Sequence, residues 1–305
     1  DLVRSRGLGD VYKRQHMDGA LLTLAFLFIL FGYGTKAALV PLHGWLPDAY
    51  AEGPAPLTTA LSGLLINVAL LAILRFRHLM QANAAAGGSA MHPGPFLLTL
   101  GVASLFLAAF SFSRRRDARR FFGFSSIEQS GLVAFAFGIG GPAALFGGLL
   151  HMLLHSLLKP GLFLALIRAA QLRGAAAPGF YAFSHLRGLL HVNKYTGWLL
   201  ALCIFALAGL PPSGLFASEF IIVSQTIQIN PWMSLPLGLG MLLCAVAILR
   251  QIGPLLFAPA PRETYRKAGW EAHLVTLHLL LVVGLAFLTP PALVRLLGQA
   301  AGALQ

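Results

Sequence analysis

Apolar residues arrive along this chain in long runs, and short polar stretches separate them. Eight runs stand out, approximately Gly19–Val40, Leu57–Phe76, Pro95–Ser113, Phe121–Gly140, Pro142–Ala169, Tyr195–Thr226, Leu235–Phe257 and His273–Thr289. Most suit an α-helix crossing about 30 Å of hydrocarbon, which takes roughly 20 residues. Transmembrane β-strands would alternate in polarity over about 10 residues, and stretches such as Leu21–Leu30 do not alternate. The pattern predicts an all-α, polytopic integral membrane bundle of about eight transmembrane segments.

Two of the runs carry their own interruptions. The sixth is too long for one simple crossing and holds Pro211-Pro212 near its middle. Consecutive prolines remove two backbone donors and break a helix. The first ends in Gly32-Tyr33-Gly34-Thr35-Lys36, with Pro41 and Pro47 following. Unwound backbone at membrane depth persists only where protein or a watery cavity surrounds it, and paired broken helices in transporters mark ion routes. Each break has an ionisable neighbour, Lys36 at the first and Glu219 at the second.

Ionisable residues recur inside the runs: Lys36, Glu128, His151, His155, Lys159 and Glu219. A charge at the bilayer centre costs at least a few kcal/mol, so six such residues of both signs point to a polar path whose natural cargo is the proton. His151, His155 and Lys159 are spaced i, i+4, i+8 and fall on one helix face, a stripe about 12 Å long. Such a column passes protons if water fills its gaps; the plainer alternative is a packed polar seam. The same spacing resembles a zinc helix but lacks the glutamate of H-E-x-x-H. Glu219 is either a proton-carrying carboxylate or a helix-start carboxylate near a positive dipole end. Lys36 either snorkels to an interface or serves as a buried amine, and the flanking Gly32 and Gly34 favour the latter. Glu128 either pairs with the arginines before it or lines an entry path. His43 and Trp45 have interfacial character, while Asp48 and Glu52 cap or hold the loop into the second segment. Asn67 can hydrogen-bond across helices. Asp117 reads as a surface ion pair, and Arg250 as facing a lipid head group or an inner carboxylate.

Composition agrees with the pattern. Of 305 residues, 57% are hydrophobic and 10% charged, against about 25% charged in soluble domains. The net charge of +12 suggests nucleic acid until its distribution is considered. Five arginines between segments three and four (Arg114, Arg115, Arg116, Arg119, Arg120), four basic residues between five and six (Arg168, Arg173, Arg187, Lys194) and three between seven and eight (Arg262, Arg266, Lys267) mark cytoplasmic connectors. The connectors near Gly140–Gly141 and Asn230–Pro231 carry no charge, and only Arg75 and Arg77 fall on the wrong side. This places the start of segment one outside. The two cysteines, Cys203 and Cys244, lie in apolar runs and read as packing thiols. Residues 1–15 are polar and unlike the rest, a non-native or junction segment; residues 16–305 form one membrane domain. Without residues 1–15 the net charge falls from +12 to +10, since four basic and two acidic residues leave. No dinucleotide fingerprint, P-loop or cysteine cluster is present, so no cofactor is expected.

Several stretches, in order, resemble one family. Gly34-Thr35-Lys36-Ala37-Ala38-Leu39-Val40-Pro41-Leu42-His43-Gly44-Trp45-Leu46-Pro47-Asp48-Ala49 is similar to the signature of antiporter-like membrane subunits of respiratory complex I, Mrp-type antiporters and group 4 membrane-bound hydrogenases. Asp117 to Gly131 resembles the next stretch, His151, His155, Ser156 and Lys159 the histidine–lysine helix, and Leu207 to Phe220 the second broken helix. Details around Ala55–Phe76 and the carboxylate at 219 look closest to the F component of hydrogenase-4. The resemblance implies roles. Lys36 is the lysine of the first broken helix, His151, His155 and Lys159 are the connecting chain, and Glu219 is the terminal carboxylate. It also implies a proton-translocating membrane subunit without its own redox site, embedded in a prokaryotic inner membrane beside other membrane subunits, lipid and a peripheral redox arm, with no nucleic acid. Asn67 departs from the family, where lysine or histidine is common. The family also has about fourteen helices and a glutamate upstream of the lysine, so this chain reads as a C-terminal fragment that would not pump alone. Alternatives are a cation/proton antiporter subunit and a scaffold with vestigial charges. A haem cytochrome suits the sequence poorly, because the best histidine pair is stacked on one helix.

Overall fold

A computed structural model of the chain describes residues 18–112, 116–173, 181–259 and 269–304. The segment 1–15 lies outside the described residues. Among those described, the regular structure is helical, apart from one isolated bridge between Asp117 and Ala182. The helices are α1 (Gly19–Lys36), α2 (Trp45–Glu52), α3 (Ala55–Ala85), α4 (Gly94–Phe112), α5 (Ala118–Ile139), α6 (Pro142–Leu172), α7 (Leu189–Val192), α8 (Lys194–Leu207), α9 (Gly214–Ile229), α10 (Ser234–Leu249), α11 (Ile252–Phe257), α12 (Glu271–Phe287) and α13 (Pro291–Ala303).

Both expected breaks are present. Between α1 and α2 the chain turns through residues 37–44, where Ala38 has a positive φ of 55°. Trp45 Nε1 donates to Thr35 O at 2.6 Å and Val40 N to Ser104 Oγ at 3.0 Å, so freed backbone finds partners across the break. Between α8 and α9 the chain unwinds over residues 208–213, and Ser213 N-caps α9 by accepting from Phe216 N. The Val40–Pro41 and Pro211–Pro212 peptides, one in each break, are cis.

The span count differs from eight. Five helices are long and apolar enough to cross a membrane by length and composition, or six if the bent pair α12–α13 is one span. The sixth run divides into α8 and α9, each under 18 residues. The fourth run is α5, whose arginines, serines, Glu128 and Gln129 lower its apolarity while nearly every residue from Ala118 to Phe137 is buried. The seventh run passes through turn residues at Arg250–Gln251, where Arg250 is exposed, yet counts as one of the five spans. After the eighth, α13 turns 77° from α12, an element the apolar runs did not contain.

Helix α5 sits in the middle, with α2, α4 and α6 against it. Helix α6 in turn touches α3, α8, α9, α12 and α13. The α4–α5 contact is backbone on backbone: a Cβ on Gly131 would lie 2.7 Å from Ser104 Cβ and 2.8 Å from Gly101 O. Small residues permit such approach in membranes, where van der Waals packing replaces the hydrophobic drive. Large exposed side chains (Leu21 and Phe28 on α1, Leu235 and Leu239 on α10) mark the outer faces.

The flanks of the basic connectors meet on one face. Ala118 N donates to Tyr181 O at 2.8 Å, Phe183 N to Arg116 O at 2.9 Å, and Gly188 N to Pro254 O at 3.3 Å. Arg114, Arg115, Arg262, Arg266 and Lys267 lie outside the described residues. On the opposite face Arg77, which counted against the orientation rule, is buried. Its Nη1 donates to Leu304 O at 3.1 Å, so its charge is spent on a carbonyl inside the protein rather than on a loop. Asp117 forms no ion pair among the described residues. It caps α5 by accepting from Arg120 N at 2.9 Å, because the first-turn N–H groups need an acceptor. Asp48 and Glu52 reach Arg120 at 3.0 and 3.1 Å and tie α2 to the start of α5.

Replacing Gly131 by Leu forces α4 and α5 apart. Overpacking costs about 1–3 kcal/mol, and thermal unfolding in detergent should show a lower midpoint for Gly131→Leu; an unchanged midpoint contradicts the backbone contact.

Candidate functional site

Five of the six singled-out ionisable residues enter the interior: Glu128, His151, His155, Lys159 and Glu219 are all buried. They come from three helices. Helix α5 brings Glu128, α6 brings the column of His151, His155 and Lys159, and α9 brings Glu219.

Lys159 is fully buried. Its Nζ donates to Phe122 O at 2.7 Å and Ser125 Oγ at 2.6 Å, and stands 5.9 Å from the centroid of Phe163. The next residue, Pro160, lies inside α6 and has no N–H, which removes one rung of the α6 ladder beside the lysine. The rings of His155 and His151 stack with centroids 6.4 Å apart and planes 9° from parallel, as the i, i+4 spacing predicts. His151 is bonded on both nitrogens, Nδ1 to Ser218 Oγ at 2.9 Å and Nε2 to Gln129 Oε1. His155 Nε2 has no protein partner. The column therefore ties α6 to α5 at Ser125 and Gln129, and to α9 at Ser218.

Glu219 follows the second break by a turn and a half of α9. Its carboxylate lies against Gly209, where φ is +65°; a Cβ there would sit 1.9 Å from Oε2. Glu128 and Glu219 line one cleft of about 290 Å³ together with Gly209, Phe216, Phe220 and Met241. Glu128 makes no ion pair with arginine among the described residues; Arg120 is engaged by Asp48 and Glu52, and Arg119 by Gly53 O and Thr58 Oγ1. Of the two expectations for Glu128, the pairing with arginine is not formed among the described residues, and the side chain lines the cleft instead.

Lys36 stands apart. It ends α1 with an exposed side chain, its Nζ 5.8 Å from the Trp45 ring centroid, beside a hollow lined by Phe28, Ile29, Gly32 and Tyr33. The buried position expected for it is not reached among the described residues, because none of their helices covers that side of α1. His43 is half-buried in the turn of the first break, with Nδ1 unpartnered. Asn67 Nδ2 donates to Met152 O at 2.9 Å, one residue from His151 and so beside the column. Asp48 is at the surface with Arg120.

Sequence reasoning left out the neutral half of the site. Ser125, Gln129 and Ser218 hold the lysine and the first histidine, and Tyr50, Ser126 and Ser130 are buried with unpartnered side-chain oxygens. A signal was available: Ser125, Ser126, Glu128, Gln129 and Ser130 crowd one stretch of an otherwise apolar run, too many for a lipid-facing helix. Cys203 and Cys244 are buried and free, and Cys244 Sγ touches Leu105 O. Among the described residues, no group of three His, Cys, Asp or Glu could hold a metal.

The family described as NADH:quinone oxidoreductase/Mrp antiporter, transmembrane region, matches residues 8–259. A hydrogenase-4 component F homolog of Methylacidiphilum infernorum is 41% identical over 280 residues, covering 92% of this chain and 57% of that protein. The chain spans about half the length of the curated relatives it matches. Among solved structures, an archaeal membrane-bound sulfane sulfur reductase superposes with a TM-score of 0.81 at 23% identity, over 94% of this chain and 57% of that one. The Mrp complex of Dietzia gives 0.80 at 20% identity, over 92% and 59%. These two likenesses concern the fold.

Gly209→Ala should lower stability through two effects, the positive φ, which costs an ordinary residue about 1–2 kcal/mol, and the collision with Glu219. Adding Glu219→Ala should recover the second part. Thermal unfolding of the single and double variants measures this; an equal loss in both would show that the carboxylate does not rest on Gly209.

Proposed function

We propose a proton-carrying role from one premise: this chain belongs to the NADH:quinone oxidoreductase/Mrp antiporter family of membrane subunits. In this reading it is part of a proton-translocating subunit of a redox-driven complex of NADH:quinone oxidoreductase or membrane-bound hydrogenase type. Other membrane subunits, lipid and a peripheral redox arm are its partners, and a prokaryotic inner membrane is its location. Redox chemistry resides in the partners.

The observation that carries this reading is the common interior of Lys159, His155, His151, Glu128 and Glu219. Ionisable groups inside a membrane protein are expensive and mark ion pathways and proton relays. Here they succeed one another across three helices and end at a helix break. A proton leaving Lys159 has His155 and His151 next along α6. Ser218, bonded to His151, precedes Glu219 in α9. Glu219 opens on the cleft that Glu128 shares. Imidazole suits the middle of such a row because one ring nitrogen can accept a proton while the other gives one up. Lys36, exposed on α1, takes its role from outside this row: a carboxylate from a neighbouring segment of the longer protein pairs with it, and change in that pairing drives the proton. Each pKa unit of such change corresponds to about 1.4 kcal/mol.

The second reading, a cation/proton antiporter subunit, draws on the two carboxylates that share one cleft, a donor set that also suits a hard cation. Sodium-dependent proton flux in vesicles without an electron donor would favour it.

In the full-length subunit within its complex, Lys159→Ala and Glu219→Ala should each cut proton translocation by about 10²-fold or more, the range of a lost proton-transfer group. Assembly should survive. Vesicle acidification driven by the electron donor measures this, and unimpaired translocation in both variants refutes the reading.

A further inference from the structure

Tyr50 is the largest polar side chain in the interior that the row from Lys159 to Glu219 leaves unused. It lies in α2, the short helix after the first break, and is 1% exposed. Its ring packs edge-on against Phe163 of α6, with centroids 5.3 Å apart. Lys159 Nζ stands 5.9 Å from the same ring, so the phenol and the amine flank one phenylalanine. The Tyr50 hydroxyl lies near Ser126, and it has no hydrogen-bond partner of ordinary geometry. Ser126 Oγ is also unpartnered, and the preceding residue, Ser125, holds Lys159.

Buried hydroxyls in proteins almost always have partners, and unpaired ones point to ordered water or to function. Two unpaired hydroxyls near each other, one of them next in sequence to the hydroxyl that holds a buried amine, offer the polar partners that a bridging water needs. The main chain of Tyr50 leads outward. Two residues on, Glu52 meets Arg120 at the surface. Arg119 donates to Gly53 O and Thr58 Oγ1, and Thr58 Oγ1 donates to the main-chain carbonyl of Tyr50 at 3.3 Å. This is the face on which the basic connectors gather. The charged groups on the elements about α2 are therefore Lys159 on α6, and Arg119, Arg120, Asp48 and Glu52 towards the surface.

We propose that Tyr50, with Ser126, is the proton entry from the basic face to Lys159. Neutral Lys159 accepts a proton handed on through Ser126 and water from the Tyr50 hydroxyl. The phenol takes a replacement proton from water at the Arg119–Glu52 end, so it is unchanged after each passage. The inference rests on the proton-carrying reading of Lys159.

The test uses the full-length subunit in its complex, in sealed vesicles whose basic face is outward. Tyr50→Phe keeps the ring against Phe163 and removes only the hydroxyl, and Ser126→Ala provides an independent break in the same link. Both should slow donor-driven proton uptake by about tenfold or more, with the subunit assembled. The deficit should shrink in proportion as the external proton concentration rises, because only entry is impaired; a packing defect would slow uptake equally at every pH. Wild-type rates in both variants, or a slowing independent of external pH, overturn the entry role. Lys159→Ala runs in parallel. If it is inactive while Tyr50→Phe and Ser126→Ala are normal, this inference alone falls. If Lys159→Ala translocates normally, the proton-carrying reading falls and takes this one with it.

Discussion

A buried lysine has to be solvated by the protein itself, and much of this structure follows from that requirement at Lys159. Its amine is held by a main-chain carbonyl, Phe122 O, and a hydroxyl, Ser125 Oγ, both from α5. No carboxylate meets it in an ion pair among the described residues. Breaking such a set would leave an uncompensated buried group, so α5 and α6 are fixed in register by it. The register then sets the rest of the column. One turn along α6 is His155, and one turn further is His151, which meets Gln129, four residues beyond Ser125 on α5. Polar groups at matching intervals on two helices lock against each other as a ladder. This explains why α5 is both the most polar of the long helices and the most deeply buried.

The two breaks solve a related problem. A continuous helix satisfies all its own backbone groups and offers nothing to an ion or proton. Where α1 ends, Trp45 Nε1 adds a bond to Thr35 O, and Val40 N is satisfied by Ser104 Oγ rather than by a helix neighbour. Where α8 ends, Gly209 adopts a positive φ that lets the Glu219 carboxylate lie against its backbone, a place that any side chain would fill. Irregular backbone at membrane depth requires surrounding protein or a cavity. The first break has α4 beneath it through Ser104, and the second opens on the cleft shared with Glu128.

Much of this was legible in residue order because hydrocarbon is a severe solvent. Runs of about 20 apolar residues have few alternatives to helix, and Pro211-Pro212 could only be a break. The spacing of His151, His155 and Lys159 placed them on one face without any knowledge of neighbours. What residue order did not carry was which side of each helix the rest of the protein covers. Lys36 and Lys159 look alike in sequence, both in apolar surroundings beside glycine or proline, yet one is exposed at the edge of the described helices and the other sits at their centre. Arg77 misled for the same reason: charge counts assume that arginines lie in loops, and this one bonds a carbonyl of the final helix. Neutral partners such as Gln129 and Ser218 were passed over because a hydroxyl or amide acquires meaning only from what faces it, and here those partners are 22 and 67 residues from His151.

The two histidines, equal in sequence, are unequal in place. His151 has both ring nitrogens engaged, so its orientation is fixed and a proton can pass through it only by arriving at one nitrogen and leaving from the other. The ring need not turn, since Ser218 and Gln129 each offer rotatable polar groups that can follow the change. His155 lies parallel to it, with Nε2 free of protein partners. An unpartnered buried nitrogen is costly by about 1–3 kcal/mol unless water reaches it. The column therefore alternates a residue bound by the protein, Lys159, one whose Nε2 has no protein partner, His155, and another bound by the protein, His151. On the proposed proton-carrying role, a row bonded throughout would hold its proton too well, and a row open throughout would leave several buried groups unsatisfied. Alternation keeps the helices in register while leaving one position where the hydrogen-bond pattern is free to reverse.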